Sequence, residues 1–277
     1  MASSVPKVLH PVGNLPMLFH IVSAMKEAGS TETAVIVGNK AELVTEHLQA
    51  FDGDVQTYVQ AQRLGTGHAV LAAREAIEHK HDDIVVVNGD APLISPKTVN
   101  SARKALTDGA DIVVMGFDAE DPTGYGRMIM DGASLLAIRE QKDASAEEKE
   151  ITFCNSGIFA FRGDQMLSVL DAVGNDNAQG EYYLTDVIAM AAAEGKRIQS
   201  AQPQSAVEVE GVNNRLQLAN LERALQHRQA NELMTNGVTL LDPSRFDLRG
   251  SMDIGNDIVI DVNVIVEGEV KIGSNVT

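Results

Sequence analysis

The chain has 277 residues, of which 44% are hydrophobic and 22% are charged, and its 39 acidic and 22 basic side chains give a net charge of −17. This composition excludes a disordered or coiled-coil protein, and the charge argues against nucleic acid as a partner, because phosphate backbones need basic patches. The single cysteine excludes an internal disulfide, and the sequence has neither a long apolar run nor a signal-peptide pattern, so we predict a cytoplasmic protein with no membrane partner.

The first half of the chain alternates short apolar runs with helical patterns. The runs at 34–37, 84–87 and 112–115 are typical of strands buried on both faces of a parallel sheet. The helical patterns lie at the positions 16–29, 67–78 and 95–107. This alternation predicts an α/β fold with an open, mostly parallel sheet, in which ligands bind beyond the carboxyl ends of the strands.

The pattern changes after residue 124. Residues 127–130 and 135–138 flank an Asp-Gly pair, which predicts a β-hairpin and an antiparallel insertion. A further strand is predicted at 157–161, after an acidic loop or helix at 144–150. Helical patterns at 165–173 and 184–194 then restore the α/β alternation.

The last part of the chain carries a long helix and a repeat. A helical pattern fills 214–235, and an aliphatic residue then recurs every sixth position, at Ile254, Ile260, Val266 and Ile272. This period is typical of a hexapeptide parallel β-helix, whose repeats must stack to bury their cores, although two ordinary alternating strands would also fit. We therefore predict three parts, namely a domain at 1–213, a connector helix and linker at 214–250, and the beginning of a β-helix at 251–277.

Asp90 is the first candidate for chemistry. It follows Gly89 at the carboxyl end of the apolar run 84–87, where a ligand of an α/β sheet binds. A carboxylate there can hold Mg²⁺, which shares its coordination shell with substrate phosphates. A turn-capping role explains Asp90 equally well.

The loop at 60–69 is the second candidate. A predicted strand ends at Gln60, and Gly65, Thr66 and Gly67 then open a helix. Small residues allow backbone groups to approach a planar ligand, and a helix N-terminus favours anions. A tight turn explains the same glycines, and we expect His68 to be structural.

Several other polar residues stand beside apolar segments or in loops. Taken one at a time, each is better explained by structure than by chemistry. They are Lys7, Gly126, Glu140, Asn155 and Asn213.

Six motifs together resemble one family, the bacterial bifunctional N-acetylglucosamine-1-phosphate uridylyltransferase/glucosamine-1-phosphate acetyltransferase. The resemblance covers residues 1–277, because the hexapeptide repeat follows the motifs. In chain order the motifs are PKVLHPV at 6–12, LGTGHA at 64–69, GDAPLI at 89–94, DPTGYGR at 121–127, NAQGEYYLTD at 177–186 and VEGVNNR at 209–215.

This resemblance implies a Rossmann-like nucleotidyltransferase domain that joins UTP to N-acetylglucosamine 1-phosphate and releases pyrophosphate. It implies that Lys7 neutralises phosphate charge in the transition state and that Asp90 and Asn213 ligate Mg²⁺. It also implies a left-handed β-helix, through which complete family members form homotrimers. The implied substrate contacts are the uracil site at Gln60, Gly65 and Thr66, the sugar site at Gly126, Glu140 and Asn155, and Gly89 beside the metal ligand.

The sequence departs from the family pattern at its beginning. The family opens with a strand and a glycine-rich loop that holds the triphosphate, and Met1 aligns with the end of that loop. Without that loop, weak or absent transfer is expected, so a nucleotide-sugar-binding fragment without turnover is the second hypothesis. A third is a fragment that acts only in a larger assembly, and the few hexads support no claim of acetyl transfer.

Overall fold

The computed structural model describes residues 1, 3–50, 55–79 and 81–277. Helices and strands alternate through most of these ranges. The α-helices are α1 (Met17–Glu27), α2 (Ala41–Gln49), α3 (Thr66–Leu71), α4 (Arg74–Glu78), α5 (Pro96–Thr107), α6 (Ala146–Lys149), α7 (Met166–Leu170), α8 (Asp186–Ala193) and α9 (Arg215–Thr235).

The strands include the three predicted from apolar runs, which are β3, β5 and β6. In chain order the strands are β1 (Pro11–Val12), β2 (Leu15–Pro16), β3 (Thr33–Val37), β4 (Val55–Val59), β5 (Asp83–Val86), β6 (Ile112–Asp118), β7 (Arg127–Asp131), β8 (Ser134–Arg139), β9 (Phe153–Arg162), β10 (Ile198–Ala201), β11 (Thr239–Leu240), β12 (Phe246–Ile254), β13 (Val259–Ile260) and β14 (Val264–Ile272).

The chain divides into two compact units. The first unit contains Met1–Ile21, Gly89–Leu93 and Gly211–Thr277, and the second contains Val22–Asn88 and Ile94–Glu210. The division into domains at 1–213, 214–250 and 251–277 remains a prediction.

The second unit is built around a six-stranded mixed sheet in the order β10-β6-β9-β7-β8, with β5 also paired to β9. Among its described strands, β10 and β6 pair in parallel, whereas β9 runs antiparallel to β5, β6 and β7. The expectation of a mostly parallel sheet is therefore wrong here. A strand buried on both faces has the same apolar pattern in either direction, so the sequence pattern did not reveal the antiparallel course of β9.

The hairpin predicted after residue 124 is present. Strands β7 and β8 pair antiparallel, and Gly132 in the connecting turn has φ +58°. The acidic stretch before β9 forms the short helix α6, which begins with a capping box between Ser145 and Glu148. The predicted antiparallel insertion is confirmed.

Two features of the second unit differ from the expected elements. Strands β3 and β4 pair in parallel as a separate two-stranded sheet. The helix expected at 67–78 is broken into α3 and α4 by a turn at Ala72 and Ala73. The apolar core around the six-stranded sheet includes Phe159, Phe161, Met166 and Ile188.

The first unit contains α9 and the repeat that follows it. Asn214 caps α9 and shares a capping box with Gln217. Strand β12 pairs in parallel with β14 from Phe246 with Val264 to Ile254 with Ile272, so each residue lies beside the one 18 positions later. This offset equals three hexads. The second and third repeat positions, Ile260 and Val266, are buried in the core.

A search of the described residues for a helix long and apolar enough to cross a lipid bilayer found none.

Candidate active site

Lys7, Asp90 and Asn213 lie together in the first unit. The Lys7 ammonium donates to Asp90 Oδ2 at 2.5 Å and to Asn213 Oδ1 at 3.0 Å. The Lys7 side chain is 38% exposed and that of Asp90 19%. The lysine is therefore anchored by two oxygens and still accessible to an anion.

The backbone fixes both oxygen-bearing residues. The carbonyl of Asp90 accepts from the Val212 N–H at 3.0 Å, and the Asn213 N–H donates to Gln217 Oε1 at 2.7 Å. Gln217 belongs to the capping box of α9, so Asn213 is held where that helix begins. A Cβ on Gly89 would lie 3.3 Å from Val8 Cγ1, so Gly89 packs beside the segment that carries Lys7.

The Asp90 and Asn213 oxygens form a donor set that suits a hard divalent cation. A carboxylate and an amide carbonyl are ligands that Mg²⁺ accepts, with water and phosphate oxygens completing its shell. Because both oxygens bond to one ammonium, they already converge on a cationic position. The residues expected to bind Mg²⁺ are thus brought together.

Gln60, Gly65 and Thr66 form a second cluster, in the second unit. Gln60 follows β4, and its side-chain Nε2 donates to the Gly65 carbonyl at 3.1 Å and lies 3.2 Å from His68 Nδ1. The His68 ring therefore helps to orient the Gln60 amide. This role is consistent with the expectation that His68 is structural.

Gly65 is needed because a backbone segment approaches it closely. Its φ is +111°, and a Cβ would lie 2.5 Å from the Tyr182 carbonyl oxygen. The Tyr182 N–H donates to the Leu64 carbonyl at 2.7 Å, and the Gly67 N–H donates to the Tyr182 carbonyl at 2.8 Å. Any side chain at Gly65 would push these two segments apart.

Gly126, Glu140 and Asn155 form a third cluster, at the open end of the β7–β8 hairpin. The Asn155 N–H donates to the Gly126 carbonyl at 2.8 Å. A Cβ on Gly126 would lie 2.9 Å from Ile138 Cγ2 and 3.5 Å from Glu140 Oε1. Gly126 therefore leaves the Glu140 carboxylate uncovered on that side.

Glu140 has an unusual electrostatic environment. Burial raises the pKa of the Glu140 carboxyl, and the negative charges of Asp186 and Asp143 raise it further. A hydrogen bond from Thr185 Oγ1 to Glu140 Oε1, at 2.9 Å, acts in the opposite direction and lowers this pKa. A half-buried carboxylate held by a hydroxyl is suited to accept hydrogen bonds from a polyol.

The segment Tyr182–Thr185 belongs to the motif at 177–186, but the sequence analysis predicts no role for it. Tyr182 bonds to the loop of Gly65, the Leu184 N–H donates to Thr66 Oγ1 at 2.9 Å, and Thr185 donates to Glu140. Tyr182, Leu184 and Thr185 therefore position the second and the third cluster. The signal that could have identified them is the motif itself, which places a hydroxyl residue directly after an apolar one.

Comparisons with known proteins identify the family of this chain. The family model described as "Nucleotidyl transferase" matches residues 1–256. The chain is also similar to curated proteins named "Bifunctional protein GlmU", with 47% identity over 279 residues in Pseudoalteromonas atlantica, 45% over 281 in Brucella anthropi and 46% over 266 in Agrobacterium fabrum.

The matches cover 100%, 100% and 96% of this chain in the same order, but only 60%, 59% and 58% of those relatives. The chain thus spans about 60% of the length of the curated relatives it matches. Since the family model covers far more than half of the chain, the chain belongs to the nucleotidyl transferase family.

Proposed function

We propose that this chain transfers a uridylyl group from UTP to N-acetylglucosamine 1-phosphate, giving UDP-N-acetylglucosamine and pyrophosphate, with Mg²⁺ as cofactor. The observation that carries the proposal is the convergence of Asp90 and Asn213 on the Lys7 ammonium. Family membership and the motif resemblance supply the reaction class.

The reaction balances as a single displacement at phosphorus. An oxygen of the sugar phosphate forms a bond to the α-phosphorus of UTP, the bond from that phosphorus to the bridging oxygen breaks, and pyrophosphate leaves. Catalysis of this kind rests on positioning and charge neutralisation. Lys7 donates to the phosphate oxygens and offsets their charge. Mg²⁺, when held by Asp90 and Asn213, supplies further charge neutralisation.

The second cluster suits a pyrimidine base. The Nε2 group of Gln60 is held by the Gly65 carbonyl and by His68, so the Gln60 amide oxygen is offered as an acceptor in a fixed plane. Thr66 accepts a hydrogen bond from the Leu184 N–H and keeps its own hydroxyl proton for a ligand. We infer that this cluster selects uracil.

The third cluster suits the N-acetylglucosamine portion. Glu140 accepts from sugar hydroxyls, and the buried Asn155 side chain is held by the Gly157 N–H, which donates to its Oδ1 at 2.9 Å. The remaining Asn155 amide donors are then directed at the sugar. A site built to bond to hydroxyls rejects analogues that lack them.

We also infer that β12–β14 open a left-handed hexapeptide β-helix. The 18-residue parallel offset supports this, as do the buried Ile260 and Val266 and the half-buried Ile254 and Ile272 at the ends of the stack. A complete β-helix would support a homotrimer.

The test is pyrophosphate release from UTP and N-acetylglucosamine 1-phosphate with Mg²⁺ and with chelator. We expect turnover that needs metal and is lost in Asp90→Ala. A matched control is Asp253→Ala, since Asp253 is 75% exposed and pairs only loosely with Lys271. Full activity in Asp90→Ala would overturn the proposal. Binding of UDP-N-acetylglucosamine without turnover would instead support the nucleotide-sugar-binding hypothesis.

A further inference from the structure

A cluster of metal-ligating side chains lies in the second unit, among residues that the proposed reaction does not use. Glu32 precedes β3, His79 caps the end of α4, and His81 precedes β5. His79 Nδ1 lies 3.0 Å and His81 Nε2 3.7 Å from Glu32 Oε2. One donor atom from each of the three residues lies within 4.8 Å of the others.

These distances match the spacing of ligands around a zinc-sized ion. Tetrahedral coordination with bonds of about 2.0–2.1 Å places neighbouring donor atoms about 3.3 Å apart. The two contacts of Glu32, at 3.0 and 3.7 Å, bracket this value. An ion would take the place of the proton that His79 shares with Glu32.

The carboxylate of Glu32 is incompletely hydrogen-bonded in the part of the chain that the structure describes. Its Oε1 is buried and has no hydrogen-bond partner among those residues. A buried charged oxygen without a partner is costly, and a bound cation would satisfy it. Glu75 and Glu78 on α4 add negative charge near His79, which favours a cation further.

The two histidines differ in what ligation requires. His79 Nδ1 already faces Glu32 Oε2. His81 Nε2 also contacts the Ala76 carbonyl at 2.9 Å, so an ion can bind this nitrogen only after its proton moves to Nδ1 and the ring turns away from the carbonyl. The side chain of His79 is 51% exposed, so an ion can enter from solvent and keep a water ligand.

The place of this cluster in the fold suggests a structural role. Strands β3 and β5 lie in different sheets among the described residues. A cavity of about 370 Å³ is lined by residues of both strands and by Glu32 and His81. An ion held by residues at the starts of β3 and β5 would link the two strands across this cavity.

We propose that Glu32, His79 and His81 form a structural site for a divalent transition cation of the zinc class. Imidazole and carboxylate ligands without thiolate suit Zn²⁺, Ni²⁺ or Co²⁺, whereas Mg²⁺ prefers oxygen ligands alone. The site is independent of the proposed reaction, since it shares no residue with the three substrate clusters.

The experiment is calorimetric titration of the metal-free full chain with Zn²⁺, in the presence of saturating Mg²⁺ so that Asp90 and Asn213 do not contribute. We expect one site per chain. We further expect Glu32→Gln, His79→Gln and His81→Gln each to weaken binding by at least about tenfold, because a first-coordination ligand is lost in each variant. His47→Gln is the control, since the His47 ring bonds to the Leu43 carbonyl of its own helix and the variant should leave the affinity unchanged.

Two further readouts test the site without an affinity measurement. Zn²⁺ should raise the unfolding temperature of the wild-type chain and not that of the His79→Gln/His81→Gln double variant, because only a folded site binds the ion. Co²⁺ should give the visible absorption of a four-coordinate site with nitrogen and oxygen ligands in the wild-type chain. Equal zinc affinity in wild type and triple variant, or an octahedral cobalt spectrum, would overturn the proposal.

Discussion

The cluster of Lys7, Asp90 and Asn213 in the first unit and the cluster of Gly126, Glu140 and Asn155 in the second unit are built on different principles. The Lys7 ammonium is partly exposed and held by two oxygens through charge. Glu140 is half-buried, and one neutral hydroxyl positions it. Charge holds the Lys7 cluster together, whereas a neutral hydrogen bond within the protein already positions the carboxylate of the Glu140 cluster.

This difference predicts different consequences of mutation. Loss of a charge that acts on phosphate in the transition state lowers kcat, whereas loss of a contact that binds substrate and transition state equally raises KM. Variants of the first cluster should therefore change mainly kcat, and variants of the Glu140 cluster should change mainly KM.

Lys7→Met should have the largest effect. Removing the ammonium leaves the developing phosphate charge without a partner, so we expect kcat to fall about 10²- to 10³-fold, with a smaller change in both KM values. Steady-state pyrophosphate release measures this. Lys271→Met is the control, since Lys271 is 88% exposed. A pure KM effect in Lys7→Met would remove the distinction between the clusters.

Gly65→Ala should act on the second cluster, for which we propose uracil binding. The added Cβ meets the Tyr182 backbone at 2.5 Å and φ is +111°, so the loop must shift. We expect the KM for UTP to rise about 10- to 100-fold and the free energy of unfolding to fall by about 1–3 kcal/mol.

Gly132→Ala separates the effect of backbone strain from the effect of displacing a neighbouring segment. Gly132 also has a positive φ, +58°, but a Cβ there meets nothing within 4 Å. This variant should lose stability and keep both KM values, as followed by thermal unfolding and kinetics. If Gly65→Ala behaved in the same way, the close approach of Tyr182 would have no part in binding.

The sequence predicted those parts of the fold whose signals are local. The Asp131-Gly132 turn, the apolar runs of β3, β5 and β6, and the six-residue period all match observed elements. The break between α3 and α4 was missed, because Ala72 and Ala73 are good helix formers and carry no stop signal.

Features that depend on distant parts of the chain were not predictable in the same way. The antiparallel course of β9 depends on which strands it joins, β5 and β6, and not on its own residues. The role of Thr185 depends on a bond to a residue 45 positions away. The roles of the cluster residues rest on the motif resemblance and stay predictions, since each polar residue alone was better explained by structure.

Glu140→Gln tests the charge in the Glu140 cluster. A charged acceptor strengthens a hydrogen bond by about 1.4 kcal/mol over a neutral one, so the KM for N-acetylglucosamine 1-phosphate should rise about tenfold while the KM for UTP is unchanged. Equal changes in both KM values would contradict the assignment of Glu140 to the sugar.

Protonation of Glu140 should have opposite effects on sugar affinity and on the free energy of unfolding. Burial raises its pKa above the ordinary value of about 4.3, so sugar affinity should be lost as the pH falls through the raised pKa. Stability runs the other way, because the native carboxyl holds its proton more tightly than the unfolded one. The free energy of unfolding should therefore decline as the pH rises between the two pKa values, and Glu140→Gln should remove this decline in thermal unfolding.

Thr185→Val should have the smallest effect and gives the sharpest comparison. Without the hydroxyl, the pKa of Glu140 should rise and its carboxylate should lose its orientation. The KM for the sugar phosphate should therefore increase about threefold, which corresponds to a loss of about 0.7 kcal/mol of binding free energy. Thr185→Ser keeps the hydroxyl and should restore the wild-type KM. NMR titration of Glu140 follows the pKa directly, even without substrate.

Thr98→Val distinguishes positioning from general stability. Thr98 also donates to a buried carboxylate, that of Glu208, at 2.6 Å, but Glu208 lies in none of the three clusters. Both variants should lose stability, and only Thr185→Val should change the KM for the sugar phosphate. If Thr98→Val changed that KM by the same factor, the effect of Thr185 would be one of folding, and a carboxylate positioned by a neutral hydrogen bond would no longer explain sugar recognition.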